Sequence, residues 1–251
     1  MSYIDQDELY IKLDHNQTQV YKLVDSIHPG GVYTIAMAGA QTPVYSSISI
    51  SGTSYEARVW GFRDADYENG LPIMTEYDFD NVPAGNSIKV ATIPGHFQGY
   101  HTELKVVEDL NSMTAYNYRV NGAIPASFVK IAAQVQSVTP LPAGKIDAVT
   151  SGDFTTTGAT WQFYARNNQS FTWTMYGTNT MTSIRLPNLS PNMLQTFPTL
   201  ALDSLNFYNL ELTKYHGLAS YQDFLGTLFN PASPRTQNKL NASTLVYGQS
   251  K

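Results

Sequence analysis

Tyr55-Glu-Ala-Arg-Val-Trp-Gly-Phe62 is the stretch that decides the fold. Tyr55, Ala57, Val59 and Gly61 fall on one face, and Glu56, Arg58, Trp60 and Phe62 on the other. Successive side chains of a β-strand point to opposite faces, so this alternation describes a strand with one face on a core. The same period of two recurs on both sides of it. It predicts strands at Glu8–Leu13, Thr18–Val24, Val32–Ala38, Val44–Ile50, Ile73–Phe79, Ser87–Ile93, Glu103–Val107, Ala115–Val120 and Ser127–Val138. These segments are rich in Val, Ile, Tyr, Phe and Thr and are bounded by Gly, Pro, Asn or Asp. Pro29-Gly30-Gly31, Asn69-Gly70, Pro83-Ala84-Gly85, Pro94-Gly95 and Asn121-Gly122 supply the backbone freedom or fixed φ that chain reversals need.

Thr139-Pro-Leu-Pro-Ala-Gly144 packs two prolines and a glycine together and reads as a semi-rigid linker or crossover. Beyond it, strands are expected at Thr160–Ala165, Ser170–Tyr176, Thr182–Leu186 and Asn206–Thr213. Two short helices are expected as well. One starts at Ser190 with Pro191 in its first turn. The other is Ser220-Tyr-Gln-Asp-Phe-Leu-Gly-Thr-Leu-Phe229, where Ser220 caps, Asp223 closes a capping box, and Tyr221, Phe224, Leu225 and Leu228 form one apolar stripe. The tail from Asn230 is polar and reads as extended. The expected fold class is therefore all-β: two antiparallel β-sandwich domains, residues 1–141 and 142–251, with short helices only in the second.

Composition narrows the function. The chain has 251 residues, enough to bury a sizeable core. Charged residues make up only 14%, and tyrosine is common at 17. The net charge is −5 and no basic run exists, which argues against nucleic acid as a partner. The absence of cysteine removes disulfides, thiol catalysis and Cys-type metal sites. No apolar run is long enough to span a membrane as a helix, and the first residues carry no signal-peptide pattern.

Two stretches carry family resemblances. Phe79-Asp-Asn-Val-Pro-Ala-Gly-Asn-Ser-Ile-Lys-Val90, preceded by Val59-Trp-Gly-Phe-Arg-Asp-Ala-Asp66 and Gly70-Leu-Pro72, resembles the prealbumin-like (carboxypeptidase-regulatory-like) β-sandwich. The segment between Pro72 and Phe79 is shorter than that family's usual spacing. Trp173-Thr-Met-Tyr176 followed by Ile184-Arg-Leu-Pro-Asn-Leu189 resembles the C-terminal sandwich of Bacteroidota-type surface lipoproteins. That second resemblance implies display on an outer membrane through a lipid-bearing cysteine upstream.

Asp64, Asp66 and Glu68 alternate before Gly70 and make a candidate calcium loop, since calcium takes several hard oxygens from a tight turn. Gly70 stands one place late for the helix–loop–helix pattern and Thr75 occupies its bidentate position, so an acidic hairpin tip is the plainer reading. His96, His101 and Glu103 form the His-containing cluster, but histidines five apart match no helical ligand spacing. Nucleophile elbows, phosphate-binding loops and zinc-protease motifs are absent, so the chain reads as non-enzymatic with no cofactor besides candidate calcium. Trp60, Trp161 and Trp173, with Tyr67, Tyr77, Tyr100, Tyr164 and Tyr176, are candidates for an aromatic platform; Tyr67 and Tyr100, in expected loops, and Trp60 are the candidate contacts for a glycan or protein partner, whereas Trp161 and Trp173 belong to core strands. The leading expectation is a structural or adhesive protein of the cell surface. The alternative is a subunit of a virion or other particle, which low charge and β-richness also suit.

Overall fold

The computed structural model describes residues 8–15, 18–25, 30–52, 54–64, 67, 70–78, 87–108, 114–164, 170–188, 190–196, 205–230 and 240–248. Eight strands form one antiparallel sheet: β4 (Ser54–Phe62), β5 (Leu71–Asp78), β7 (Gly99–Val107), β8 (Thr114–Gly122), β11 (Thr156–Tyr164), β12 (Ser170–Thr178), β14 (Asn206–Tyr215) and β15 (Ala242–Gly248). Their order across it is β12-β11-β14-β15-β8-β7-β4-β5. β3 (Val44–Ser49) pairs with β6 (Ser87–Thr92), and β9 (Ala133–Leu141), β10 (Lys145–Gly152) and β13 (Ser183–Arg185) make a three-stranded sheet. β1 (Glu8–His15) and β2 (Thr18–Asp25) form a separate ribbon. The described helices are α1 (Pro191–Thr196) and α2 (Tyr221–Leu228). The fold is all-β, in sandwich layers, as the alternation predicts.

Register shows how the layers stack. Ala57 pairs with Leu104 and Leu104 with Tyr118, while Tyr116 pairs with Leu245 and Leu245 with Leu212. Cross-strand partners share a face, as do residues two apart, so all six point the same way. That face is covered twice. Ile48, Ile88 and Val90 of the β3–β6 pair pack on Ala57, Val59, Leu104 and Val106. Ile146, Ala148 and Ile184 of the three-stranded sheet pack on Ala159, Trp161, Leu210 and Leu212. Trp161 is fully buried, in line with its place in a core strand.

In β4, Tyr55, Ala57, Val59 and Gly61 are buried and Glu56, Arg58 and Trp60 partly exposed, as the alternation requires; Phe62, on the second face, departs from it and is buried against Tyr67. Other expectations need correction. Pro142-Ala143-Gly144 is no linker: it turns the hairpin between β9 and β10, with Ala143 and Gly144 at φ 60° and 65°. Val32–Ala38 alternates but joins no strand, because a period of two makes a strand only where a neighbour offers a ladder. The expected strand from Ser127 begins at Ala133, and Ser127 itself makes a lone bridge to Ser49. The tail expected to be merely extended holds β15, at the centre of the large sheet. The Pro83–Gly85 turn, on which the first resemblance rests, lies outside the described residues.

Candidate functional site

The opposite face of the large sheet is not covered by either small sheet. Its side chains follow from register. One row reads Arg58, Glu103, Arg119, Ala242 and Tyr215 across β4, β7, β8, β15 and β14. The next reads Glu56, Lys105, Asn117, Thr244, Thr213 and Thr156, ending on β11. A third brings Glu211 beside Gly158 and Gly158 beside Tyr176. Small side chains in the middle of these rows leave a groove of ≈ 370 Å³ between a charged wall and a tyrosine wall.

The charged wall alternates in sign. Opposite charges two residues apart on one strand hold one another in place at modest gain. Arg58 Nη2 lies 2.5 Å from Glu56 Oε1. His101 Nε2 lies 3.1 Å from Glu103 Oε1, and His101 Nδ1 lies 2.6 Å from Asn121 Oδ1. The hydrogen bond from His101 holds the Glu103 carboxyl below its usual range, against the effect of burial and with help from Arg119 and Arg58. Arg119 Nε donates to the Leu240 carbonyl at 3.1 Å, which fixes its stem along the sheet. Asn117 Oδ1 is buried with no hydrogen-bond partner among the described residues.

α2 builds the tyrosine wall. Ser220 Oγ accepts from the Asp223 backbone N–H at 3.2 Å and donates to Asp223 Oδ2 at 2.9 Å, the expected capping pair. Phe224, fully buried, stacks on Tyr215 with ring centroids 4.9 Å apart and tilts on Tyr176 at 5.4 Å. The Tyr221 hydroxyl donates to the Tyr176 carbonyl at 3.0 Å. The helix therefore braces both tyrosines against the groove. Burial raises the Tyr176 phenol and pushes Tyr215 up to about 12. Burial also raises Glu211, opposed by the hydrogen bond that Asn209 Nδ2 donates at 3.3 Å. Arg119 and Glu211 both act electrostatically on Tyr176 and Tyr215, so side chains from strands β8 to β12 converge across this face.

The structure distributes the sequence-derived candidates differently. Trp60 lies on this face, half-buried beside the His101 ring at 5.4 Å, next to the charged wall. Tyr67 instead packs on Phe62 at 5.0 Å and closes over Gly99, where a Cβ would meet its hydroxyl at 2.5 Å. Tyr100 stands edge-on to Phe97 at 5.8 Å and supports the β3–β6 core. Both tyrosines pack within the fold and stay partly exposed, and Tyr100 belongs to β7 instead of a loop. Asp64 Oδ1 accepts from the Tyr67 backbone N–H at 3.1 Å, capping the turn, while Asp66 and Glu68 lie outside the described residues. Among the described residues, no three His, Asp or Glu side chains are placed to share a metal ion.

Tyr176 is among the aromatic candidates of the sequence, but Arg119, Asn117, Glu211 and Tyr215 carry no mark of a site there. Each sits at a polar position of an alternating strand and looks there like ordinary solvated surface. The signal that exists is the bulk of Glu211-x-Thr213-x-Tyr215 opposite the small Thr156-x-Gly158, and it has meaning only with the register known.

No protein-family model matches the chain, and no curated protein or solved structure matches it.

Proposed function

We propose that the chain is a non-catalytic binding protein and that the groove on the open sheet face holds a glycan. The observation that carries this is the pairing of the two walls across a floor of threonines. Arg58, Lys105 and Arg119 offer donors, Glu56, Glu103 and Asn117 offer acceptors, and Thr244 and Thr213 offer both. Sugar hydroxyls each donate and accept, and neighbouring hydroxyls suit a planar guanidinium beside a carboxylate. Tyr176, 38% exposed and backed by Phe224, gives the apolar C–H face of a sugar a ring to lie against. A volume of ≈ 370 Å³ falls at the small end of ligand sites, which suits a few sugar units.

The carboxyls of Glu103 and Glu211 favour holding over cutting. Their strands stand three spacings apart in the sheet, about 14 Å. Hydrolysis of a glycosidic bond uses two carboxyls about 5–9.5 Å apart. Glu56, on the strand next to Glu103, is closer, but it is ion-paired to Arg58, and Glu103 is occupied by His101.

The test is a glycan array followed by calorimetry on the hits. Binding that falls about tenfold or more on Arg119→Ala and on Tyr176→Ala, with the sugar recovered intact, is the expected result. Failure to bind any glycan sinks the proposal, as does binding that both variants leave untouched. Display on an outer membrane belongs to the same proposal and is supported by the low charge and the Trp173–Leu189 resemblance. The gene should then encode a signal peptide ending in a cysteine upstream of Met1.

A further inference from the structure

Six charged side chains line the groove: Glu56, Arg58, Glu103, Lys105, Arg119 and Glu211. Three are acids and three are bases, so the count alone names no ligand charge. Their pairing does. Arg58 takes Glu56, with Nη2 2.5 Å from Oε1 on the same strand. Glu103 accepts from His101 Nε2 at 3.1 Å, and Arg119 and Arg58 add to the field that favours its charge. Arg119 is tied by its Nε to the Leu240 carbonyl.

Lys105 is the exception. It is exposed at the groove and, among the described residues, makes no hydrogen bond or ion pair. Register would give it a partner. Glu56 stands directly opposite it on β4, and opposite charges facing each other across a strand pair attract. Arg58 holds that carboxylate instead. On its other side Lys105 faces Asn117, which is neutral. The remaining acid, Glu211, stands on β14, three strand spacings or about 14 Å from β7. Its own hydrogen bond comes from Asn209. The acids near Lys105 are thus committed to other donors, and its ammonium faces the groove uncommitted.

We infer that Lys105 is an anion-binding point and that the glycan in the groove carries an acid group there, a uronate carboxylate or a sulfate ester. This rests on the glycan reading of the groove. Lysine suits the role as a compact point charge with three donors on a flexible stem, which takes either acid without requiring a planar match. The chain as a whole carries a net charge of −5. It offers an anion no general attraction, so a preference for acidic sugars comes from this one position.

Calorimetry on matched pairs of oligosaccharides tests this, with each uronate chain set beside its carboxyl-reduced form and each sulfated chain beside its desulfated form. In one kind of pair the acidic member should bind about tenfold more tightly, the scale of one charge-assisted hydrogen bond. The kind of pair tells carboxylate from sulfate. The preference should disappear in Lys105→Gln, persist in Lys105→Arg, and shrink as added salt screens the charge. Neutral members that bind as tightly as acidic ones overturn the inference and leave the glycan reading standing. A preference that Lys105→Gln retains overturns it too, since the acid would then be held elsewhere. If neither member of any pair binds, the glycan reading fails and takes this inference with it.

Discussion

The Glu211 carboxyl stands beside Gly158 and near the Tyr176 ring, in a spot where burial disfavours the charge. Its folded pKa is raised above the ordinary 4.5, so whatever it adds to stability is present below that value and lost as pH rises through the folded one. At neutral pH the ionised form is a cost that a neutral isostere avoids. Glu211→Gln should therefore melt higher than wild type at pH 7, by about 2 °C, which is the scale of a 1 kcal/mol change in a chain of this length. The difference should vanish at low pH, where both side chains are neutral. The same change should weaken glycan binding about tenfold, because an acceptor that carries charge makes the stronger hydrogen bond. A variant that melts lower at pH 7, or binds as tightly as wild type, would show that Glu211 serves the fold. Nothing in Leu210-Glu-Leu212 marks this residue in the sequence. A polar side chain between two core leucines is what any half-buried strand shows.

The elements differ in how far their own residues announce them. α2 is legible because its signals are local: Ser220, Asp223 and the stripe through Phe224 lie within one short segment. The start of β10 is not, because Pro142 and Gly144 suggest a break between domains as readily as a turn. The pairing of Lys145 with Leu141 is what makes them a turn. β15 is hidden because the apolar residues of Ala242-Ser-Thr-Leu-Val-Tyr-Gly248 do not alternate and its partners are remote: Arg119, for example, reaches the Leu240 carbonyl across 121 positions. The role of α2 is hidden too, since it depends on Tyr176 and Tyr215, which arrive from other strands. Phe224→Ala removes the ring that both tyrosines rest on. A fully buried Phe is typically worth about 3–5 kcal/mol. Ser220→Ala loosens the same helix by about 1 kcal/mol and leaves the ring in place. Urea titration should rank the two in that order, and glycan affinity should fall much more for Phe224→Ala. Equal losses of affinity would mean that the wall depends on the helix as a whole.

At the scale of the molecule, the two buried clusters are not held by two separate sheets. They lie side by side on one face of the same eight strands, and β15 joins the parts. It pairs with β14 from residue 209 to 215 and with β8 from residue 114 to 119. Leu245, 3% exposed, meets Leu212 on one side and Tyr116 on the other. Without β15, β8 and β14 would become bare edges inside what is now a continuous ladder. A residue near the end of the chain therefore controls strands from both halves. Leu245→Ala should cost about 2–5 kcal/mol, a large part of a typical stability of about 5–15 kcal/mol. It should lower the melting of the whole molecule at once. Calorimetry should give one transition in wild type and in the variant, with calorimetric and van't Hoff enthalpies equal. If instead two transitions separate, and the variant shifts only the one that reports on the cluster around Trp161, the halves fold independently and β15 merely touches β8. A single shifted transition means that the groove, which takes its charged wall from one half and its tyrosine wall from the other, exists only when both halves are folded.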